Sequence, residues 1–209
     1  DYGVVGDGRT AALIARDGAV DWLCLPQFDS PSHFAALLDA EHGGRWTVRP
    51  NGAFVSRAEY IADTNVLTTT YESGSAVARL TDFMPRGTRQ PVLCRKLESI
   101  KGAMTFECRI DPRPNYGRRR APVETFTVEV APDRPAWLAY PREAAPRNLS
   151  SGQGDRLLEK TIAYWREWAS RIHCAGPYRS EETRSALALK LLLHEPPGAP
   201  VAAATTSLP

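Results

Sequence analysis

Tyr116-Gly117-Arg118-Arg119-Arg120 is the segment best equipped to meet a ligand. Pro112 and Pro114 stiffen the approach to it, while a tyrosine and arginines can stack and donate hydrogen bonds outward. Tyr116 and Arg118 are therefore the candidate ligand-contacting residues, weighed against a plain solvated basic turn, which is the commoner fate of such a run. Trp22, between Asp21 and Leu23, is a third candidate, because an indole can stack on a flat apolar face; more often such a tryptophan is core. Asp29, Ser30 and His33 have the residue types of a nucleophilic triad but no nucleophile elbow, so that reading is rejected. Asp7-Gly8, with Gly3 and Gly6, lacks the following helix a phosphate loop requires. Asp21, Asp29, Asp82, Asp111, Glu181 and Glu182 could in principle supply paired carboxyl groups, but most fall at turns or helix starts, where accepting backbone N–H groups accounts for them. His194, near the end of a helical stretch, is expected to satisfy terminal carbonyls.

The elements that must position these residues change character along the chain. Short, turn-punctuated segments run from Thr10 to about Val130, with period-two alternation in Phe106, Cys108, Ile110 and in Phe126, Val128, Val130. Strands are expected over 10–16, 19–25, 45–49, 53–62, 65–72, 76–83, 92–99, 103–111 and 124–130, forming an antiparallel pair of β-layers. Asp17-Gly18 predicts a hairpin with a primed turn. One short helix is expected over 32–38. Ser150-Ser151-Gly152-Gln153-Gly154 reads as a linker, followed by a helix capped by Asp155 whose apolar face carries Leu158, Ile162, Trp165, Ala169 and Ile172. A second helix, capped by Ser180 and ended by Pro196-Pro197-Gly198, carries leucines from Leu187 to Leu193 around most of its circumference and should be buried on several sides.

Composition excludes several classes. Apolar residues make up 43% and the net charge is only +2, so the chain is globular and neither disordered nor built for nucleic acid. Cys24, Cys94, Cys108 and Cys174 form no metal-ligand or redox spacing and read as buried thiols. No apolar run reaches the length of a membrane span and no leader-like segment opens the chain, which points to a cytoplasmic protein without metal or cofactor.

Several blocks, in a fixed order, resemble a known family. They are Gly6-Asp7-Gly8-Arg9-Thr10-Ala11-Ala12-Leu13, Asp17 to Pro26, Phe28-Asp29-Ser30-Pro31-Ser32, Thr81-Asp82-Phe83-Met84-Pro85, Pro112 to Arg118, Tyr164-Trp165-Arg166-Glu167-Trp168, Arg184 to Lys190, and Thr205-Thr206-Ser207-Leu208-Pro209. The pattern is similar to the start of bacterial glycoside hydrolase family 15 proteins, the trehalase and glucoamylase group. The resemblance implies a mainly β fold: an antiparallel super-β-sandwich over 1–150, a linker helix over 151–179, and over 180–209 the first helix of an incomplete α/α barrel. It implies a non-catalytic amino-terminal domain of an inverting α-glucoside hydrolase. Both catalytic glutamates, and an Arg-Asp element that grips sugar, would lie beyond residue 209. Inversion needs two carboxyl groups roughly 6.5–9.5 Å apart. The 209 residues alone are thus expected to be inactive, with carbohydrate met through the barrel and the sandwich docking on that barrel. Tyr116, Arg118 and Trp22 become candidate substrate contacts at the barrel mouth. Two rival readings are a carbohydrate-binding module using Trp22, Trp46 or Trp137, and a purely structural domain. Between Arg120 and Asp155 the run of strands is shorter than is usual in the family, either because the sandwich is abbreviated or because loops are absent from the numbering, with Ala121 as the candidate seam.

Overall fold

The computed structural model describes residues 2–142, 150–173, 176–195 and 198–205. Alternation of apolar and polar side chains produces two antiparallel sheets. The larger holds β1 (Tyr2–Gly6), β2 (Ala11–Ala15), β3 (Val20–Cys24), β4 (Ser32–Phe34), β5 (Arg45–Pro50), β10 (Met104–Asp111) and β11 (Glu124–Val130). The other runs in the order β12-β9-β8-β7-β6, from β6 (Val55–Tyr60), β7 (Leu67–Ser73), β8 (Ala76–Phe83), β9 (Leu93–Lys101) and β12 (Ala136–Tyr140). The inner faces share one core, in which Phe34 and Trp46 meet Tyr140 and Tyr71 meets Phe106. The fold is mainly β, as the alternation and the family resemblance both imply, followed by α1 (Ser151–Ala169) and α2 (Arg179–Leu191).

Several local expectations are corrected. Residues 32–34 form β4 in place of a helix: Ser32 is buried and Phe34 enters the core, so pairing with β3 wins over a short amphipathic turn. β1 and β12 are additional strands; their half-buried residues lack clean alternation. The hairpin between β2 and β3 has Gly18 alone in the left-handed region, at φ 82°. Its bonds, Gly18 N–H to the Ala15 carbonyl and Ala15 N–H to the Ala19 carbonyl, describe a three-residue loop closed by a left-handed glycine in place of the two-residue primed turn. The supposed linker 150–154 lies at the start of α1. Ser150 precedes the first turn, and Asp155, inside the helix, pairs with Lys96 at 2.9 Å. Gly154 is explained by packing, because a Cβ there would sit 2.4 Å from the Trp137 ring. α2 begins at Arg179, with Tyr178 at its cap position, and Ser180 lies inside it, bonded to Glu181. α2 buries only Thr183, Leu187 and Leu191, a single stripe, and Leu189 is 68% exposed. His194 packs edge-on against Phe28. Cys174, Pro196, Pro197 and the block from Thr206 to Pro209 lie outside the described residues.

Gly18 also makes a sharp prediction. The Tyr71 hydroxyl donates to the Asp17 or Val48 carbonyl directly beside it, and a Cβ on Gly18 would lie 2.1 Å from that oxygen. Gly18→Ala is expected to cost at least about 2 kcal/mol, combining left-handed strain with a clash against a fully buried ring. An unfolding free energy from urea titration within about 0.5 kcal/mol of the parent would contradict this.

Candidate functional site

The loop after β10 is held more firmly than a solvated turn needs. Asp111 ends the strand in ion pairs with Arg109 at 2.9 Å and Arg113 at 2.8 Å. Arg113 and Asn115 then donate their N–H groups to the carbonyls of His33 and Ser32, both at 2.9 Å, and Tyr116 N–H reaches the Ser32 hydroxyl at 3.2 Å. Three consecutive residues, Asn115, Tyr116 and Gly117, are left-handed, with φ of 58°, 57° and 77°. For asparagine and especially tyrosine this costs on the order of 1–3 kcal/mol each, and it persists because the loop closes on itself through Gly117, Arg118 and Arg119. The result is a rigid projection. Tyr116 is half-buried and Arg118, Arg119 and Arg120 are exposed.

Tyr116 and Trp22 come together, with ring centroids 6.4 Å apart. Trp22 is fully enclosed in a small cluster with Cys24 and Ala35 on the face of the larger sheet away from the sandwich core. Its indole N–H donates to the Ala204 carbonyl at 3.0 Å, so Ala204 is held by the same tryptophan that Tyr116 packs against. Trp22 thus anchors two segments and presents no open face. Trp46 is equally buried, and Trp137 is half-buried between Gly154 and Lys96, so none of the three tryptophans offers an exposed platform. Among the described residues the exposed Arg118 side chain makes no hydrogen bond or ion pair. Beside the loop lies a cleft of about 310 Å³ lined by Leu25, Pro31, His33, Pro114, Asn115 and Arg119. His33 Nδ1 lies 2.9 Å from the Tyr140 hydroxyl, and burial pulls its pKa below the ordinary imidazole range.

The acids are mostly committed elsewhere. Asp7 accepts the N–H groups of Arg9 and Thr10 and pairs with the Arg9 guanidinium, which makes Gly6-Asp7-Gly8-Arg9 a turn built on a buried carboxylate. Asp21 pairs with Arg45 at 3.2 Å and accepts from Tyr2; burial pushes its carboxyl up, against the pull of Arg45. Asp82 is fully buried against Arg95. Ser30, His33 and Asp29 do not assemble: the Ser30 hydroxyl accepts from Gln27 N–H and His33 turns to Tyr140. Among the described residues no three His, Cys, Asp or Glu side chains converge as a metal site, and no helix is long and apolar enough to cross a membrane. Cys24, Cys94 and Cys108 are buried, and burial pushes the thiols of Cys94 and Cys108 up to about 12 and about 11. Sequence reasoning missed Ser32 and Ala204 as the supports of this site. Ser32 carries a signal, as a small polar residue just ahead of the apolar run from Phe34 to Leu38.

Comparison with known proteins identifies the family. A family model described as "Trehalase-like, N-terminal" matches residues 2–133. The chain is 34% identical to a trehalase of Thermoplasma volcanium over all of this chain and 40% of that protein, and 30% identical to one of Thermoplasma acidophilum over 94% of the chain and 40% of that protein. A trehalase of Mycobacterium tuberculosis is 26% identical over all of the chain and 39% of its own length. The chain thus spans about two fifths of these relatives. The alignments to the first and third run over 247 and 268 positions against 209 residues here, so the relatives carry segments within the matched span that this chain lacks. No solved structure matches. With a match over residues 2–133, more than half of its length, the chain is a member of the trehalase-like amino-terminal domain family.

Proposed function

We propose that this chain is the non-catalytic amino-terminal part of an inverting α-glucoside hydrolase of glycoside hydrolase family 15, acting on trehalose in the cytoplasm. In this reading residues 1–150 are the sandwich, 151–179 the linker helix and 180–209 the start of an α/α barrel that carries both catalytic glutamates. The sandwich docks on the barrel, and the Tyr116 loop trims the mouth of the sugar pocket with Tyr116 and Arg118, while Trp22 holds that loop in place from beneath.

One observation carries the proposal: Tyr116 and the Ala204 carbonyl converge on Trp22. A strained, well-bonded loop is thereby fixed beside the segment that, in this reading, leads into the barrel. Strain of this kind is maintained where a side chain must be aimed. The trehalases among the relatives support the substrate. The rival of an independent carbohydrate-binding module loses its support with the enclosed Trp22 and Trp46.

Arg118→Ala in the whole protein is expected to lower kcat/KM for trehalose by about tenfold, the worth of one charged hydrogen bond of roughly 1.5 kcal/mol. Tyr116→Ala is expected to lower it further by releasing the loop from Trp22. Steady-state kinetics on both variants decide it, and unchanged parameters in both would remove the loop from the pocket.

A further inference from the structure

α2 meets the sandwich along Thr183, Leu187 and Leu191, three buried residues at steps of four. A line of contact this narrow resists separation but leaves rolling and sliding of the helix weakly opposed. Two polar grips supply the missing restraint. Asn65, 1% exposed in the turn between β6 and β7, donates its side-chain amide to the Leu187 carbonyl at 2.9 Å, in the middle of the helix. Arg184 answers from the helix: it lies over the Tyr60 ring at 4.0 Å, donates to the Thr64 carbonyl at 2.6 Å, and donates to the Asn65 side-chain oxygen. At the other end Glu195, just past α2, binds Lys190 at 2.6 Å and Arg86 from the loop after β8, and its N–H donates to the Gly8 carbonyl at 2.8 Å.

We propose that Arg184 and Asn65 are positioning residues: they set the rotation and register of α2 on the sandwich and, through it, the geometry of the hydrolytic site. This rests on the reading of α2 as the first barrel helix. The reciprocal bonding makes the pair specific. Arg184 needs a planar fork to reach two oxygens while stacked on a ring, which lysine cannot reproduce. Asn65 needs both an acceptor for Arg184 and a donor for Leu187, and aspartate would keep only the first.

The test is made in the whole protein with Arg184→Met, Arg184→Lys and Asn65→Asp, reading amide hydrogen exchange and trehalose kinetics. Arg184→Met is expected to speed exchange at residues 187–191 by at least about tenfold while β7 to β10 stay protected. It should lower kcat by on the order of 10- to 100-fold with KM within about twofold, as displacement of a catalytic group would. Arg184→Lys should fall between Arg184→Met and the parent in both readouts, and Asn65→Asp should loosen α2 with Arg184 intact. Unchanged exchange in α2, or faster exchange with unchanged kcat, overturns the proposal. Should Arg184→Met not fold, the two milder variants decide it by the same criteria. If the parent itself releases no glucose from trehalose, the hydrolase reading fails, and the exchange data alone still decide whether these residues hold the pose of α2.

Discussion

Arg95→Met is expected to destabilise the protein by about 3–5 kcal/mol, because it strands a buried carboxylate. Asp82 and Arg95 face each other across β8 and β9, each with a side chain 0% exposed. The guanidinium donates to Asp82 at 2.7 and 3.2 Å, to the Gly18 carbonyl, and lies over Trp46 at 4.6 Å, so it ties the smaller sheet to the larger. Burial pushes the Asp82 carboxyl up despite Arg95, and without Arg95 it must rise further. A carboxyl whose folded pKa exceeds its unfolded value loses stability as pH rises from the unfolded value toward the folded one. The penalty of Arg95→Met should therefore be largest near pH 7 and shrink as pH falls toward 4. The double change Asp82→Leu with Arg95→Met should cost much less than the single one, since Nη1 of Arg95 already has no hydrogen-bond partner among the described residues and an apolar pair removes both buried charges. Urea unfolding of both variants at two pH values checks this. Equal penalties for the single and double variants would contradict it.

Trp165→Ala is expected to cost about 3–5 kcal/mol and to release α1 from the sandwich. Trp165 is fully enclosed in the cluster that joins the outer side of the smaller sheet, through Phe83 and Cys94, to both helices through Ala169, Leu187 and Leu191. Its loss opens a large apolar cavity in the one layer common to α1, α2 and the strands. Thermal unfolding should show a drop on the order of 10 °C, whereas Leu189→Ala, at an exposed position on α2, should fall within about 0.5 kcal/mol of the parent. Similar effects from the two substitutions would mean that the helices are not part of the folded core.

How much of this was legible in the sequence follows from where side-chain pattern and tertiary contact agree. Phe106, Cys108 and Ile110 on β10 alternate because one face is core, and the pattern named the strand. Trp165 and Ala169 announced a buried helical stripe for the same reason. The helix start is illegible because Gly152 and Gly154 argue for a linker by backbone propensity, while Trp137 requires a residue without a Cβ at 154. Ser32 to Leu38 has helical apolar spacing, and pairing to β3 overrode it. At the candidate site, Tyr116 and Arg118 could be singled out by type and by the flanking prolines. The contacts of Tyr116 with Trp22 and of Trp22 with Ala204 join residues 94 and 182 positions apart, and no local pattern encodes such pairs. The Arg184 and Asn65 grip is illegible for the same reason, with 119 positions between them.

The central claim, that this chain is the non-catalytic amino-terminal part of an α-glucoside hydrolase, is tested most directly by measuring glucose release from trehalose, maltose and isomaltose by the 209-residue chain and by the whole protein side by side. Release from trehalose by the whole protein and none by the chain alone is expected. Glucose release by the 209 residues alone, or none from any of the three sugars by the whole protein, would contradict it.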